Sequence, residues 1–363
     1  MNKKSIDYIL LFAVLTLLAI GIIMIFSASS VRGEELFNDS YYFLKKQLTF
    51  AVIGLIAMFI AINIDYHFFK KHAKLILLMT IILLALVLIP GIGRKVGGSR
   101  RWLGIGGLGG QPSEVAKLAL IIYIAQFYTR KNDLIKNFKK GILPILIVTG
   151  IMFLLILMEP DLGTAALLLG LVFIMFFANG AKIWHLLGIL LVSIPGILII
   201  IFQEPYRKER FLAFLDPWSD PLDTGYHIIQ SLLALGSGGL FGVGLGNSHQ
   251  KFLYLPEPGT DFIFAIIGEE LGFLATLLVL LLYLVIAWKG LKISYNTKDR
   301  FGSILAMGIT VMIVAQAILN IAVVTASVPI TGITLPFISY GGSSLILFLF
   351  SVGILLNISK NQA

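Results

Sequence analysis

The chain has 363 residues, of which 58% are hydrophobic and only 13% charged, and its mean hydropathy is +0.95. Soluble globular chains are roughly 45–50% apolar and about 25% charged, so a soluble domain is excluded. The lack of cysteine excludes disulfides, thiolate metal sites and cysteine nucleophiles, and the net charge of +9 reads as membrane topology, with no nucleic-acid partner implied.

Ten apolar runs predict membrane helices over 8–30, 46–64, 74–91, 113–129, 142–158, 161–179, 183–203, 262–288, 301–324 and 340–357. A hydrocarbon core of about 30 Å takes about 20 apolar residues to cross. Continuous apolar character without period-2 alternation argues for helices over a barrel. The fold class is therefore an all-α polytopic membrane protein of about ten transmembrane helices. It reads as one integral membrane domain over 1–363, with a large loop at about 204–261 between helices 7 and 8. The first run is too long for a signal peptide and lacks a small-residue cleavage site, so it reads as a retained span. Alternating the connections puts sixteen Lys and Arg on the side of the N-terminus and eleven on the other, with Lys117 inside a span. That bias predicts cytoplasmic termini. Seven of the eleven external cations fall in two clusters, Arg94 to Arg101 and Arg207 to Arg210. Cations there oppose the insertion bias, which points to chemistry on the extracytoplasmic side. No internal repeat of the transporter kind is visible.

Along the chain, "GGSRRWLGIGGLGGQPSEVAKLAL" begins as a pliable glycine loop and enters a helix at Pro112, with Ser113 as expected N-cap. Arg100, Arg101 and Trp102 suit either an interfacial anchor or an anionic substrate. Glu114 and Lys117 lie three apart on one helix face, as a structural ion pair or a substrate contact. In "MEPDLGTAALLL", Asp161 reads as a helix N-cap. The stretch "EPYRKERFLAFLDPWSDPLDTGYHIIQS" sets Arg207, Lys208 and Arg210 beside Phe211, Leu212, Phe214 and Leu215. This suits a helix lying in the interface, with its cations on lipid headgroups or a pyrophosphate. The glycine strings "GIGGLGG" and "GSGGLFGVGLG" follow no strand of a βαβ unit and lack the Gly-Lys-Ser/Thr ending of a phosphate loop, so they read as close packing rather than nucleotide binding.

In "LPEPGTDFIFAIIGEELG", Asp261 stands at the mouth of a long apolar run, with Glu257 before it and Glu269 and Glu270 beyond. Asp261 can be an N-cap, favoured by the helix dipole, or a general base at the water–lipid boundary. Of Glu269 and Glu270, one is expected to face the bundle and the other a polar neighbour. "TGITLPFISYGGSSLI" breaks a helix at Pro336 and restarts it at Gly341-Gly342, which predicts backbone lining a cavity.

The stretches "GGSRRWLGIGG", "QPSEVAKLAL", "EPDLGTA", "YRKERFLAFLDPWSDPLDTGY", "QSLLALGSGGLFGVGLGNSHQKFLYLPEP", "TDFIFAIIGEELG" and "TGITLPFISYGGSSLI", in this order over nearly the whole chain, resemble the FtsW/RodA/SpoVE (SEDS) family. "DPW" and "GLGNSHQKFLYLPEP" look more like its division and sporulation branch. The resemblance implies a peptidoglycan glycosyltransferase that polymerises lipid II at the outer face of the bacterial cytoplasmic membrane. It also implies a class B penicillin-binding protein and other divisome or sporulation proteins as partners. Asp261 is the catalytic residue so implied, and Trp102, Arg101, Glu114 and Lys117 fall in the family's other polar motif. Arg100, Arg207 and Arg210 complete the expected substrate contacts. Carboxylates beside a pyrophosphate suit Mg²⁺ or Mn²⁺ as a cofactor, though no all-protein cage is visible. Two positions depart from the family. Gly259 stands where it usually has His, and Glu159, where it usually has Gln, adds a negative charge near the outer surface. The competing readings are a lipid II flippase and a non-catalytic scaffold for cell-wall synthases.

Overall fold

The computed structural model describes residues 5–96, 99–105, 108–130, 132–251, 255 and 257–361. Lys3, Lys4 and Lys131 of the charge count, Gly106 and Gly107 of the first glycine string, and most of "FLYLP" lie outside the described residues. The ten expected helices are present. They are α1 (Tyr8–Phe37), α2 (Tyr42–Asn63), α3 (His67–Leu88), α4 (Pro112–Arg130), α5 (Leu143–Met158), α6 (Leu162–Ala178), α7 (Ile183–Gln203), α10 (Ile263–Asn296), α11 (Arg300–Val324) and α12 (Gly342–Lys360). Eight of these segments are long and apolar enough to cross a membrane, α5 together with the π-helical turn Phe138–Ile142 that leads into it. The other two are α6, with 17 residues, and α4, whose first turns carry Glu114 and Lys117.

The core gathers around α11 and α12. α12 lies along α2, α11 packs on α10, α4 and α6, and α1 packs on α10. Gly54 and Gly353 let α2 and α12 approach closely, since a Cβ on Gly353 would meet the Met58 carbonyl at 2.5 Å. By contrast α7 is peripheral, with Leu186 its one buried residue.

Three sequence expectations are corrected. The glycine loop before α4 is a three-stranded antiparallel sheet: β1 (Arg94–Val96), β2 (Ser99–Ile105) and β3 (Leu108–Gly110), with Arg94 opposite Trp102. Strand pairing satisfies backbone groups that a loose loop would leave open. Ser113 does not cap α4. Its Oγ is buried without a partner, because Pro112 occupies the first helical position and Gln111 precedes it.

The third correction concerns the loop at 204–261. The helix expected there is α8 (Pro205–Leu215), but the loop also contains α9 (Tyr226–Ser237), and the segment after α9 runs down beside α10. α10 is broken at Gly272 (φ 79°, ψ −174°), a conformation open to glycine. Phe273 and Leu274 N–H therefore donate to the carbonyls of Gly239 and Leu240, at 2.9 and 3.3 Å. The freed carbonyls of Glu269 and Glu270 accept from Val243 and Gly244 N–H, each at 3.0 Å. Backbone inside a bilayer must find protein partners, and this re-entrant segment supplies them about 14 Å along α10 from its start. Gly238 permits the contact, since a Cβ there would fall 1.9 Å from the Gly268 carbonyl.

Both neighbouring glutamates serve this segment. Glu269 accepts from Ser248 Oγ at 2.5 Å and His249 N–H at 2.9 Å. Glu270 accepts from Ser27 Oγ at 2.6 Å and Lys251 Nζ at 3.0 Å. Glu270 faces the bundle through Ser27 of α1 and Glu269 faces the polar Ser248 and His249, the split expected, but Glu270 reaches the loop as well. The two carboxylates bind one loop together, and Ser27 ties that loop to α1.

Ten crossings, as the sequence predicts, would put both termini on one side, and the charge bias would assign that side to the cytoplasm. A single cysteine introduced at Asp220 is therefore expected to react with an impermeant thiol reagent on intact cells. Reaction only after the membrane is opened would invert the assignment.

Candidate active site

Asp261 directly precedes α10, yet it does not cap it. The cap position belongs to Phe262 and carries no side-chain hydrogen bond. Thr260 does not cap either, because its hydroxyl donates back to the Glu257 carbonyl. The backbone around Asp261 is held on three successive carbonyls. Gly259 accepts from Tyr340 N–H at 2.8 Å, Thr260 from Ser339 Oγ at 2.6 Å, and Asp261 from Asn320 Nδ2 at 2.8 Å. The Asp261 carboxylate has no hydrogen bond among the described residues. This is a fixed main chain presenting a free carboxylate, the arrangement a proton acceptor requires.

That carboxylate faces a cavity of about 670 Å³. One wall is the 332–344 segment, whose Gly332 leaves room in front of Asp261: a Cβ there would sit 3.7 Å from Asp261 Oδ2. The expected break of the last helix is thus part of the cavity, and Gln316 Nε2 satisfies its Thr334 carbonyl at 3.0 Å. Opposite stand Trp102, Gln111, Glu114, Asp161 and Thr164. Phe37, Phe43, Phe50 and Tyr340 form an aromatic side, and Arg32, Lys46, Arg94 and Arg101 bring four cations to the lining.

Burial pushes the Asp261 carboxyl up to about 6. Glu257 and Asp161 push in the same direction, while Arg210 and Arg101 oppose them. At neutral pH the group is mostly ionised but remains a competent base.

Of the residues singled out from sequence, Arg101, Trp102, Glu114 and Asp261 meet at this cavity. Arg101 also braces the turn between α5 and α6, donating to the carbonyls of Glu159 and Pro160 at 3.0 and 2.5 Å. Asp161 caps α6 as expected, accepting from Thr164 N–H at 3.0 Å. Lys117 lies behind the lining. It is 1% exposed, and its Nζ donates to Glu114 at 2.9 Å and to Gln316 Oε1 at 2.5 Å. Arg100 is half-buried in β2, outside the lining. Arg207 on α8 donates to the Ile200 carbonyl at 3.4 Å. Arg210 stacks on Tyr206 at 4.3 Å and reaches Asp261 through its field alone.

Glu159 also differs from expectation. It is buried without a hydrogen-bond partner for either oxygen among the described residues. Burial, then the charge of Asp161, lifts it to about 8 against the pull of Arg101. It is therefore mostly protonated near neutral pH and adds far less charge than a surface glutamate would.

The sequence reading missed Arg32, Lys46, Gln316 and Asn320. Arg32 binds Glu257 at 2.7 Å and so joins α1 to the segment carrying Asp261. Gln316 and Asn320 had a visible signal, two amides four residues apart in an otherwise apolar span. Arg32 and Lys46 had none beyond their external position. Among the described residues no group of three His, Asp or Glu side chains gathers as metal ligands.

A family model described as "Cell cycle protein", for FtsW, RodA and SpoVE, matches residues 8–363. Stage V sporulation protein E of Bacillus subtilis (strain 168) is 49% identical over 359 residues, which cover 99% of this chain and 98% of that protein. The probable peptidoglycan glycosyltransferase FtsW of Geobacter sp. (strain M18) is 44% identical, with 98% and 97% covered. Among solved structures, a chain from work on the coordination of polymerization and crosslinking by a peptidoglycan synthase complex superposes with a TM-score of 0.81 at 28% identity. It covers 99% of this chain and 98% of its own. The rod shape determining protein RodA of Thermus thermophilus gives 0.72 at 28% identity, covering 100% and 99%.

Proposed function

The chain belongs to the FtsW/RodA/SpoVE family of membrane proteins, and from that premise we propose that it is a peptidoglycan glycosyltransferase. It polymerises lipid II into β-1,4 glycan at the outer face of the cytoplasmic membrane, in division or sporulation, with a class B penicillin-binding protein as partner. The observation that carries this reading is the unbonded Asp261 carboxylate, held on a fixed main chain in a cavity with four cations in its lining.

Lipid II keeps its polyprenyl chain in the bilayer while its pyrophosphate and sugars sit at the surface. Asp261 stands at that depth. It accepts the proton of the acceptor 4-hydroxyl as that oxygen bonds to the donor's anomeric carbon. The bond from this carbon to the pyrophosphate oxygen breaks, and undecaprenyl pyrophosphate leaves with the electron pair. A single displacement inverts the α-linked donor to a β linkage. Arg94, Arg101, Arg32 and Lys46 offset the charge gathering on the leaving group. Trp102 and the aromatic side offer faces to sugar rings and to the first isoprene units.

The intramembrane charges that would suit a flippase are engaged with protein groups. Glu114 pairs with Lys117, Glu269 binds Ser248, and Glu270 binds Ser27 and Lys251. The deciding experiment gives purified protein, with and without its partner, labelled lipid II in detergent, where flipping has no meaning. Glycan polymer is expected, and its absence under both conditions would overturn the reading.

Arg210 offers a cleaner charge test than Arg101, whose guanidinium also holds a turn. Arg210→Ala is expected to cost turnover a few-fold with little change in thermal stability, since a surface cation is worth about 0–1 kcal/mol to the fold. Arg210 holds the Asp261 carboxyl down. Removing it lets that group rise, so the acidic limb of the rate profile moves to higher pH. An unmoved limb would separate Arg210 from the site.

A further inference from the structure

α11 carries two amides one turn apart, Gln316 and Asn320, 0% and 1% exposed. Polar side chains are costly in the middle of a span unless they are engaged. The Nδ2 of Asn320 donates twice, to the Asp261 carbonyl at 2.8 Å and to the Ile333 carbonyl at 2.7 Å. Both carbonyls belong to non-helical backbone, and they lie on opposite sides of the gap in front of the carboxylate, because Ile333 follows Gly332. Gln316 repeats the device one turn earlier. Its Oε1 accepts from Lys117, which is bound to Glu114, and its Nε2 donates to the Thr334 carbonyl. One face of one helix therefore holds the backbone of Asp261, the wall facing it and, through Lys117, Glu114, another carboxylate of the cavity.

We propose that Asn320 is a positioning residue for the reaction at Asp261, its amide clamping the Asp261 main chain to the Gly332–Ile333 wall so that the unbonded carboxylate is presented at one place. The inference rests on the reading of Asp261 as general base. Asn320 touches no reacting atom. It limits the motion of the residue that does, and a misplacement on the order of 1 Å can cost about a hundredfold in rate. The clamp also holds the carboxylate at the position where burial raises it. The charged groups facing Asp261 are Glu257 on its own segment, Asp161 at the start of α6, Arg101 on β2 and Arg210 on α8, and none of them is altered by changing Asn320.

The test compares wild type with Asn320→Leu, which is close in size and has no donor, and with Asn320→Gln, which keeps the amide on a longer arm. Each is purified in detergent, its folded fraction taken from its thermal transition, and its turnover, KM and pH profile measured on labelled lipid II. For Asn320→Leu, turnover per folded molecule is expected to fall about tenfold to a hundredfold, with KM little changed. The acidic limb should move to lower pH, because a loosened Asp261 is better hydrated and returns toward the ordinary carboxylate range. Asn320→Gln should recover part of both. A loss that tracks the folded fraction alone, with limb and KM unmoved, would make Asn320 a packing residue and overturn the proposal. A second readout needs no activity: labelling of Asp261 by dicyclohexylcarbodiimide, which takes protonated carboxyls, followed by peptide mass spectrometry across the same pH range. Its midpoint should fall in Asn320→Leu. If wild type makes no polymer, the glycosyltransferase reading fails. The labelling then still decides whether Asn320 holds Asp261, and an unmoved midpoint overturns the clamp.

Discussion

Asp261→Asn is expected to remove nearly all polymer synthesis from lipid II while leaving a folded, inserted protein. Loss of general-base transfer costs on the order of 10²–10⁴ in rate, and no hydrogen bond to the carboxylate is lost with it among the described residues. The stability effect has a definite sign. The folded-state carboxyl is raised from 3.8 to about 6, so the folded state binds the proton more tightly than the unfolded chain does. Its ionisation therefore costs stability, a cost that begins as pH rises past the unfolded value and is complete above the folded one. At neutral pH the neutral asparagine escapes that cost, and the variant should melt no lower than wild type. In wild type, turnover should rise through about pH 6 as the base form fills, and this limb should vanish in the variant. Asp261→Glu should recover little, because the extra methylene displaces a carboxylate whose main chain is held at three carbonyls. Glycan gels, melting curves and the pH profile check these together, and near-normal polymer from Asp261→Asn would take this residue out of the chemistry.

Lys117→Met carries the largest expected loss of stability. The ammonium is enclosed by Glu114 and Gln316, with the Phe348 ring 5.4 Å away. Removing it leaves the buried Glu114 carboxylate, 6% exposed, without its charge partner. Breaking a buried pair in this way costs about 3–5 kcal/mol. The double variant Glu114→Gln with Lys117→Met removes both charges and should regain much of the stability, but not activity, because Glu114 lines the cavity. Thermal midpoints of the single and double variants form the cycle that measures this coupling. Destabilisation of the double variant equal to the sum of the two single changes would mean that the pair carries no coupling.

The order and placement of the ten helices were legible in the sequence because each apolar run meets the bilayer on its own. The length needed to cross hydrocarbon and the bias of flanking cations are one-dimensional constraints. The boundaries of α7 and α11 agree with the apolar runs to within a residue. α1 and α10 run on past their apolar stretches, since a helix satisfies its own backbone in water as well as in lipid. The motif order likewise identified the family, and Asp261 stood out as a carboxylate at a helix mouth.

What the tertiary structure decided is which of these groups meet. Period and hydropathy place a residue along the membrane normal but do not say which neighbours stand beside it. Asp261 as cap or base and Lys117 behind the lining instead of in it depended on contacts between elements distant in the chain, whereas the Asp161 cap on Thr164 is local and legible. The break at Gly272 likewise depended on packing, since the carbonyls of Glu269 and Glu270 are satisfied there by Val243 and Gly244 of the preceding loop. Glu159 reads as a surface charge in one dimension and is a buried carboxyl, raised to about 8, in three. The α11 amides show the same limit. The sequence by itself marks Gln316 and Asn320 as costly in an apolar span, and only packing reveals that the carbonyls they satisfy belong to the two walls of the cavity.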